Sequence, residues 1–244
     1  MTNNITILVS ALINDPKITG LAFLGGIIPS LLWLWFWIKE EGKKSEPKKI
    51  LAVVFIMGMI AVFFVLPIQK FIQLNVNSNE LQIILWAVTE EVMKCLAVII
   101  LLYRTKYINN AIDWPIYLIT VALGFAALEN TLFLIKPLLV DATTVNLLTS
   151  HFRFLGSTLL HSVSSGILGV SLGISMHMEG FKKKSYITAG LILAIALHSV
   201  FNFFIIRSKT IEGNNFLEVL KVFSFLWVVT IILMLLFEKI RRMD

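Results

Sequence analysis

Seven long apolar stretches alternate with short polar ones along the 244-residue chain. Each stretch is long enough to cross a hydrocarbon core of about 30 Å as a helix, at about 1.5 Å per residue. The pattern predicts spans at about 18–38, 50–68, 81–103, 114–135, 154–178, 186–206 and 217–237. The polar linkers run from KEEGKKSEPKK at 39–49, through 69–80, 104–113 and 136–153, to the lysine-rich 179–185 and the segment 207–216. The reading is an all-α, polytopic transmembrane helix bundle with one transmembrane domain over 18–237. A 1–17 lead, extracytoplasmic or interfacial, and a cytoplasmic 238–244 tail flank it. Gly25, Gly26 and Pro29 predict a kink or a close helix contact in the first span. Trp33, Trp35 and Trp37 crowd its end, as aromatic residues do at a membrane interface. The second span is expected to end near Pro67.

Composition agrees with that pattern. Hydrophobic residues make up 57% and charged residues 15%, where a soluble domain carries about 25% charged. The net charge of +6 does not indicate nucleic acid, because the basic residues sit in short loops between spans. Thirteen Lys and Arg follow spans one, three, five and seven, and seven lie on the opposite side. The positive-inside rule then places the N-terminus outside and the C-terminus in the cytoplasm of a cell membrane. Residues 1–15 lack the basic start of a cleavable signal peptide. The single cysteine, Cys95, lies inside the third span and reads as a small buried residue.

The third span, LQIILWAVTEEVMKCLAVIILLY, departs from this apolar rule. It carries Glu90, Glu91 and Lys94 near its middle, where each charge costs about 2.5–3.5 kcal/mol on insertion scales. Glu90 and Lys94 are four residues apart and are expected to pair. Glu91, turned about 100° away, then needs a partner from another helix. The next three spans supply candidates: Glu129 and Asn130 in GFAALEN, His161 in LLHSVSSG, and His198 with Asn202 in LHSVFN. Counted from the end of each span away from the basic loops, Glu90, Glu129, His161 and His198 lie about 9–14 Å deep at 1.5 Å per residue. Four successive spans thus place polar groups in one layer.

Three glutamates and one lysine leave a surplus of negative charge in low dielectric. A shared proton, a protonated histidine or a divalent cation such as Zn²⁺ would relieve it. Glu129, His161 and His198 would make a zinc site with one position open to water. Such a cluster suits hydrolysis. Glu90 or Glu91 can act as base, and His161, His198 and Asn202 can orient water or stabilise an oxyanion. Lys94 can hold one carboxylate ionised. Simpler readings stand beside these. Glu90–Lys94 could be an intrahelical ion pair, Glu129 a structural acceptor, His161 a core histidine bonded to Ser165, and His198–Asn202 a helix clamp. Ser164 and Ser165 hint at a serine nucleophile, but the spans hold no aspartate. His151 and His177 read as incidental.

EEVMK, FAALEN, the His161 helix and HSVFN, each on its own span, resemble the PrsW family of intramembrane proteases. That family is related to the CAAX prenyl endopeptidases and bacteriocin-processing proteins. The resemblance covers about residues 80–205. It implies that the paired glutamates are catalytic and that the later His and Asn complete the site. It also implies a single-span membrane protein as substrate, cut near the extracytoplasmic side, with a membrane-anchored anti-sigma factor as the type. Two positions depart from the CAAX pattern: Glu129 stands where its FxxxH motif has His, and Lys94 stands one residue before its EExxxR arginine. The metal question stays open on this reading. A proton- or ion-coupled transporter and a non-catalytic immunity or scaffold protein are the competing classes; no inverted repeat supports the former.

Overall fold

The computed structural model describes residues 15–41, 46–140, 144–208 and 216–242. Most of the 1–17 lead, the middle of the first basic loop, most of the 207–216 linker and the last two residues lie outside the described residues. Seven helices account for nearly all the rest: α1 (Pro16–Glu41), α2 (Lys48–Asn75), α3 (Asn79–Leu102), α4 (Asp113–Val140), α5 (Thr144–Ser175), α6 (Gly180–Ser208) and α7 (Phe216–Arg241). No strand occurs among the described residues. Six of the helices are long and apolar enough to cross a membrane. The remaining one, α3, is equally long but carries the three charges.

Several helices outrun their apolar spans. Helix α2 continues through Pro67 to Asn75, so the expected 69–80 linker shrinks to Val76–Ser78. Proline removes one ladder bond, which a membrane helix tolerates when neighbours support the freed groups. Ser78 then caps α3, accepting from the Leu81 N–H at 3.3 Å. Likewise α4 reaches Val140 and α5 begins at Thr144, where a longer loop was expected.

Helix α4 is the axis of the bundle: 89% of its membrane-length window is buried inside the protein, against 22–28% for α1, α6 and α7. It packs against α1, α2 and α5; α5 in turn packs on α6 and α7, and α3 on α2 and α6. The outer helices turn Leu24, Leu32, Trp35, Leu193 and Leu235 outward, an apolar girdle that lipid rather than water must cover. The close contact expected of Gly26 is present: a Cβ there would lie 2.4 Å from the Ala127 carbonyl oxygen, so α1 and α4 touch backbone to backbone.

At the end of the bundle that carries the basic loops, Asp113 accepts from the backbone N–H groups of Asn109 and Asn110, both at 2.7 Å. The Tyr117 hydroxyl donates to the Glu46 carboxylate beside it. Burial pushes the Glu46 carboxyl from 4.5 up to about 7, and the nearby Asp113 charge adds to the rise. A raised folded-state value means that the native protein holds this proton more tightly than the unfolded chain. The contribution of Glu46 is therefore most favourable below pH 4.5 and is lost as pH rises through about 7. Glu46→Gln should flatten that decline, as read by thermal unfolding in detergent between pH 4.5 and 8.

Candidate active site

Glu90, Glu91 and Lys94 all point from α3 into the bundle and are all buried. Their pairing is the reverse of the one expected from spacing. Lys94 Nζ donates to Glu91 Oε1 at 2.7 Å, three residues back, and Glu90 is left outside the pair. The cause is tertiary. Glu91 meets α5 and α6, where Ser165 Oγ donates to its Oε2 at 2.8 Å and His198 Nδ1 to its Oε1 at 2.7 Å, with Ser164 Oγ 3.1 Å away. Glu91 thus gathers donors from three helices, and Lys94 turns to join them. Ser165, expected to bond His161, is one of those donors instead.

Glu90 faces α2. Gln69 Nε2 donates to its Oε1 at 2.8 Å, a partner that sequence reasoning missed because residue 69 was placed in a loop. The other oxygen, Oε2, is buried and has no hydrogen-bond partner among the described residues. It lies 3.5 Å from His198 Nε2 and 3.9 Å from His161 Nδ1. In its neutral form His198, donating from Nδ1 to Glu91, carries a lone pair on Nε2. Two acceptors therefore face each other at 3.5 Å in a dry interior. That arrangement is unfavourable unless a proton or a cation lies between them.

The His161 ring is fixed from both sides. Lys94 Nζ lies 2.8 Å from Nδ1 and can only donate there, so the ring proton is on Nε2 and is given to Glu129 Oε2 at 2.8 Å. The two imidazoles meet edge to face with ring centroids 4.9 Å apart. Phe125 packs against His161 at 5.5 Å, and Lys94 lies 5.0 Å over its ring.

The structure therefore brings Glu90, Glu91, Lys94, Glu129, His161 and His198 into one cluster. Asn202 lies one turn past His198, half-buried, and makes no hydrogen bond with the cluster among the described residues. Asn130 turns away, donating to Thr158 Oγ1 at 3.0 Å. His177 is exposed.

The donor set able to hold a metal differs from the one expected. Glu90, His161 and His198 each offer an atom, all within 4.8 Å of one another. Glu90 stands where Glu129 was expected, and Glu129 instead engages the far nitrogen of His161. The residues fit a divalent cation by their chemistry. The set has one carboxylate oxygen lacking a hydrogen-bond partner among the described residues and two imidazoles, and Glu91 fixes the His198 tautomer through Nδ1, as carboxylates behind metal-bound histidines do. His161 joins the set through Nδ1 once Lys94 Nζ withdraws from it, since its Nε2 carries the proton given to Glu129.

Carboxylates and imidazoles joined across four helices of a membrane bundle are a donor set suited to a membrane-embedded hydrolase. A family model described as "PrsW family intramembrane metalloprotease" matches residues 46–236, and the chain belongs to that family. It is a peptidase. It is 28% identical over 181 residues to Protease PrsW of Oceanobacillus iheyensis, covering 73% of this chain and 80% of the relative. It is 28% identical over 188 residues to Protease PrsW of Geobacillus kaustophilus, covering 75% and 79%. With Protease PrsW of Bacillus subtilis it shares 25% over 205 residues, 83% of this chain and 88% of the relative. No solved structure matches.

Proposed function

We propose that this peptidase hydrolyses a peptide bond of a single-span membrane protein within the outer half of the bilayer. The basic loops support an arrangement with the N-terminus outside and the C-terminus in the cytoplasm of the cell membrane. On that arrangement the cluster lies toward the extracytoplasmic face, and a first cut in a membrane-anchored anti-sigma factor is the fitting substrate class. The observation that carries the reading is the partnerless Glu90 Oε2 facing two imidazole nitrogens.

Glu90, His161 and His198 would hold a divalent cation, with Lys94 Nζ giving up its contact with His161 Nδ1; Zn²⁺ is suited to one carboxylate and two imidazoles. When bound, the cation supplies Lewis-acid polarisation of the scissile carbonyl and acidifies water. The residues do the rest. Glu129 is the carboxylate of the three with access from outside, at 19% exposure against 4% for Glu90 and 0% for Glu91. It takes the proton from the attacking water and returns it to the leaving amine. His161 Nε2–H holds Glu129 in place. Asn202, one turn from His198, offers an amide donor to the developing oxyanion. Glu91 and Lys94 compensate each other's charge, and Glu91 fixes the His198 ring.

The test is a cleavage assay in proteoliposomes, using a single-span reporter with a helix-destabilising outer segment. Cleavage should occur. It should be lost on treatment with a membrane-permeant chelator and return with added Zn²⁺, and Glu129→Gln should lower it by about 10²–10⁴-fold. Cleavage unaffected by both chelation and Glu129→Gln would overturn this assignment.

A further inference from the structure

Glu129 lines a narrow cleft between α2 and α4, and that cleft has a shape. At one end the two helices are clamped. A Cβ on Gly58 would lie 2.0 Å from the Val121 carbonyl oxygen, and one on Gly124 would lie 1.9 Å from that of Phe55. Nothing larger than hydrogen fits at either position. Both helices run in the same direction from this clamp, and toward their later residues a cleft lies between them. Its walls are Val62 and Leu66 on α2 and Phe125, Leu132 and Phe133 on α4, with Gln69 and Glu129 as the polar groups among them. The walls are packed on one another, with Val62, Leu66, Phe125 and Leu132 buried, so the cleft is closed here; its two polar side chains, both bonded to members of the site, mark it as the seam that leads there.

The far part of α2 is built to yield. Pro67 deprives the ladder of one N–H. Beyond it, Phe71 and Leu74 are 67% and 71% exposed. Polar contacts tie this part to α3 mainly at its ends: Trp86 Nε1 donates to the Gln69 carbonyl at 3.2 Å and the Gln69 side chain donates to Glu90, while Gln82 Nε2 donates to the Val76 carbonyl just past the helix at 2.6 Å. An outward lean of α2 about the Gly58–Gly124 clamp would widen the cleft directly over Glu129. It would also loosen the bond that holds Glu90.

We propose that the α2–α4 cleft is the lateral entrance through which the substrate reaches the site, and that its occupant is an apolar transmembrane segment, unwound where it passes Glu129. The proposal rests on the proteolytic reading for its occupant. Three observations favour this occupant over a soluble peptide. The walls are apolar, the flanking Phe64 and Ile68 of α2 are exposed on a helix lying at the lipid boundary, and the cleft is continuous with Glu129. An unwound backbone needs polar partners at that depth, and the Gln69 amide and the Glu129 carboxylate are available there as α2 leans away.

Photocapture tests the cleft without requiring turnover. The full chain is reconstituted in liposomes with p-benzoylphenylalanine in place of Phe133 in the cleft or, as control, in place of Leu193 on the exposed face of α6. The probe is a radiolabelled single-span Leu/Ala peptide with a Gly-Ser segment in its outer half. Capture at position 133 should exceed that at 193 by about tenfold, the ratio that corresponds to 1.4 kcal/mol of preferential docking. Replacing the Gly-Ser segment with Leu should abolish the excess. Equal capture at the two positions, or capture indifferent to the Gly-Ser segment, would overturn the entrance. Cleavage of the same probe by the unsubstituted protein is scored separately. Preferential capture without cleavage would count against the proteolytic reading and leave the cleft standing; cleavage with equal capture would do the reverse.

Discussion

Glu90→Gln should abolish proteolysis, by about 10²–10⁴-fold or more, while leaving the fold as stable as before. The reasoning is local. Among the described residues Glu90 Oε2 is buried without a hydrogen-bond partner, and Gln69 already serves Oε1. A glutamine amide in that place removes a buried charge and turns one of two opposed acceptors into a donor, which His198 Nε2 can accept. Leaving a buried acceptor unsatisfied costs about 1–3 kcal/mol, so relieving it offsets any loss at Gln69. Thermal unfolding of the purified variant should therefore show a midpoint equal to or above that of the unsubstituted protein. A variant that loses activity because it fails to fold would contradict this.

The neighbouring glutamate should behave in the opposite way. Glu91→Ala removes the acceptor of Lys94, His198 and Ser165 at once. It leaves a fully buried ammonium that has lost its ion-pair partner and keeps His161 Nδ1 as an acceptor. Breaking one side of a buried pair costs about 3–5 kcal/mol, a large part of the stability of an ordinary domain. Glu91→Ala should thus lower the unfolding midpoint steeply. Adding Lys94→Met should recover much of the loss, because the stranded charge goes with it. The double variant should remain inactive, since His198 and His161 both lose the groups that set their tautomers. Failure of Lys94→Met to restore any stability would mean that the lysine is not the cost.

Two adjacent glutamates thus take different partners, and the sequence did not reveal which. Helical spacing puts both Glu90 and Glu91 within reach of Lys94, at i+4 and i+3. The choice between them is made by Ser165 and His198 on other helices, whose azimuth no single-chain pattern reveals. Gln69 was hidden for a related reason. A proline followed by polar residues ordinarily ends a soluble helix, whereas in a membrane bundle α2 runs on and delivers the amide to Glu90. What was legible rested on cost. Charges and imidazoles are expensive in lipid, so Glu90, Glu91, Lys94, Glu129, His161 and His198 stood out on four apolar spans, and their common depth followed from the 1.5 Å rise. The exchange of Glu129 for Glu90 beside the imidazole pair was not legible. Depth fixes a layer, and only packing fixes which carboxylate in that layer turns toward His198.

That exchange is also where the account is most exposed to a single measurement. Metal content per chain should be determined for protein purified in mild detergent from Zn²⁺-supplemented cells, side by side for the unsubstituted chain, Glu90→Gln and Glu129→Gln. The prediction is about one divalent cation per chain in the unsubstituted protein, near-complete loss in Glu90→Gln, and retention in Glu129→Gln. Retention in Glu90→Gln with loss in Glu129→Gln would contradict the assignment of Glu90 to the metal and of Glu129 to the proton.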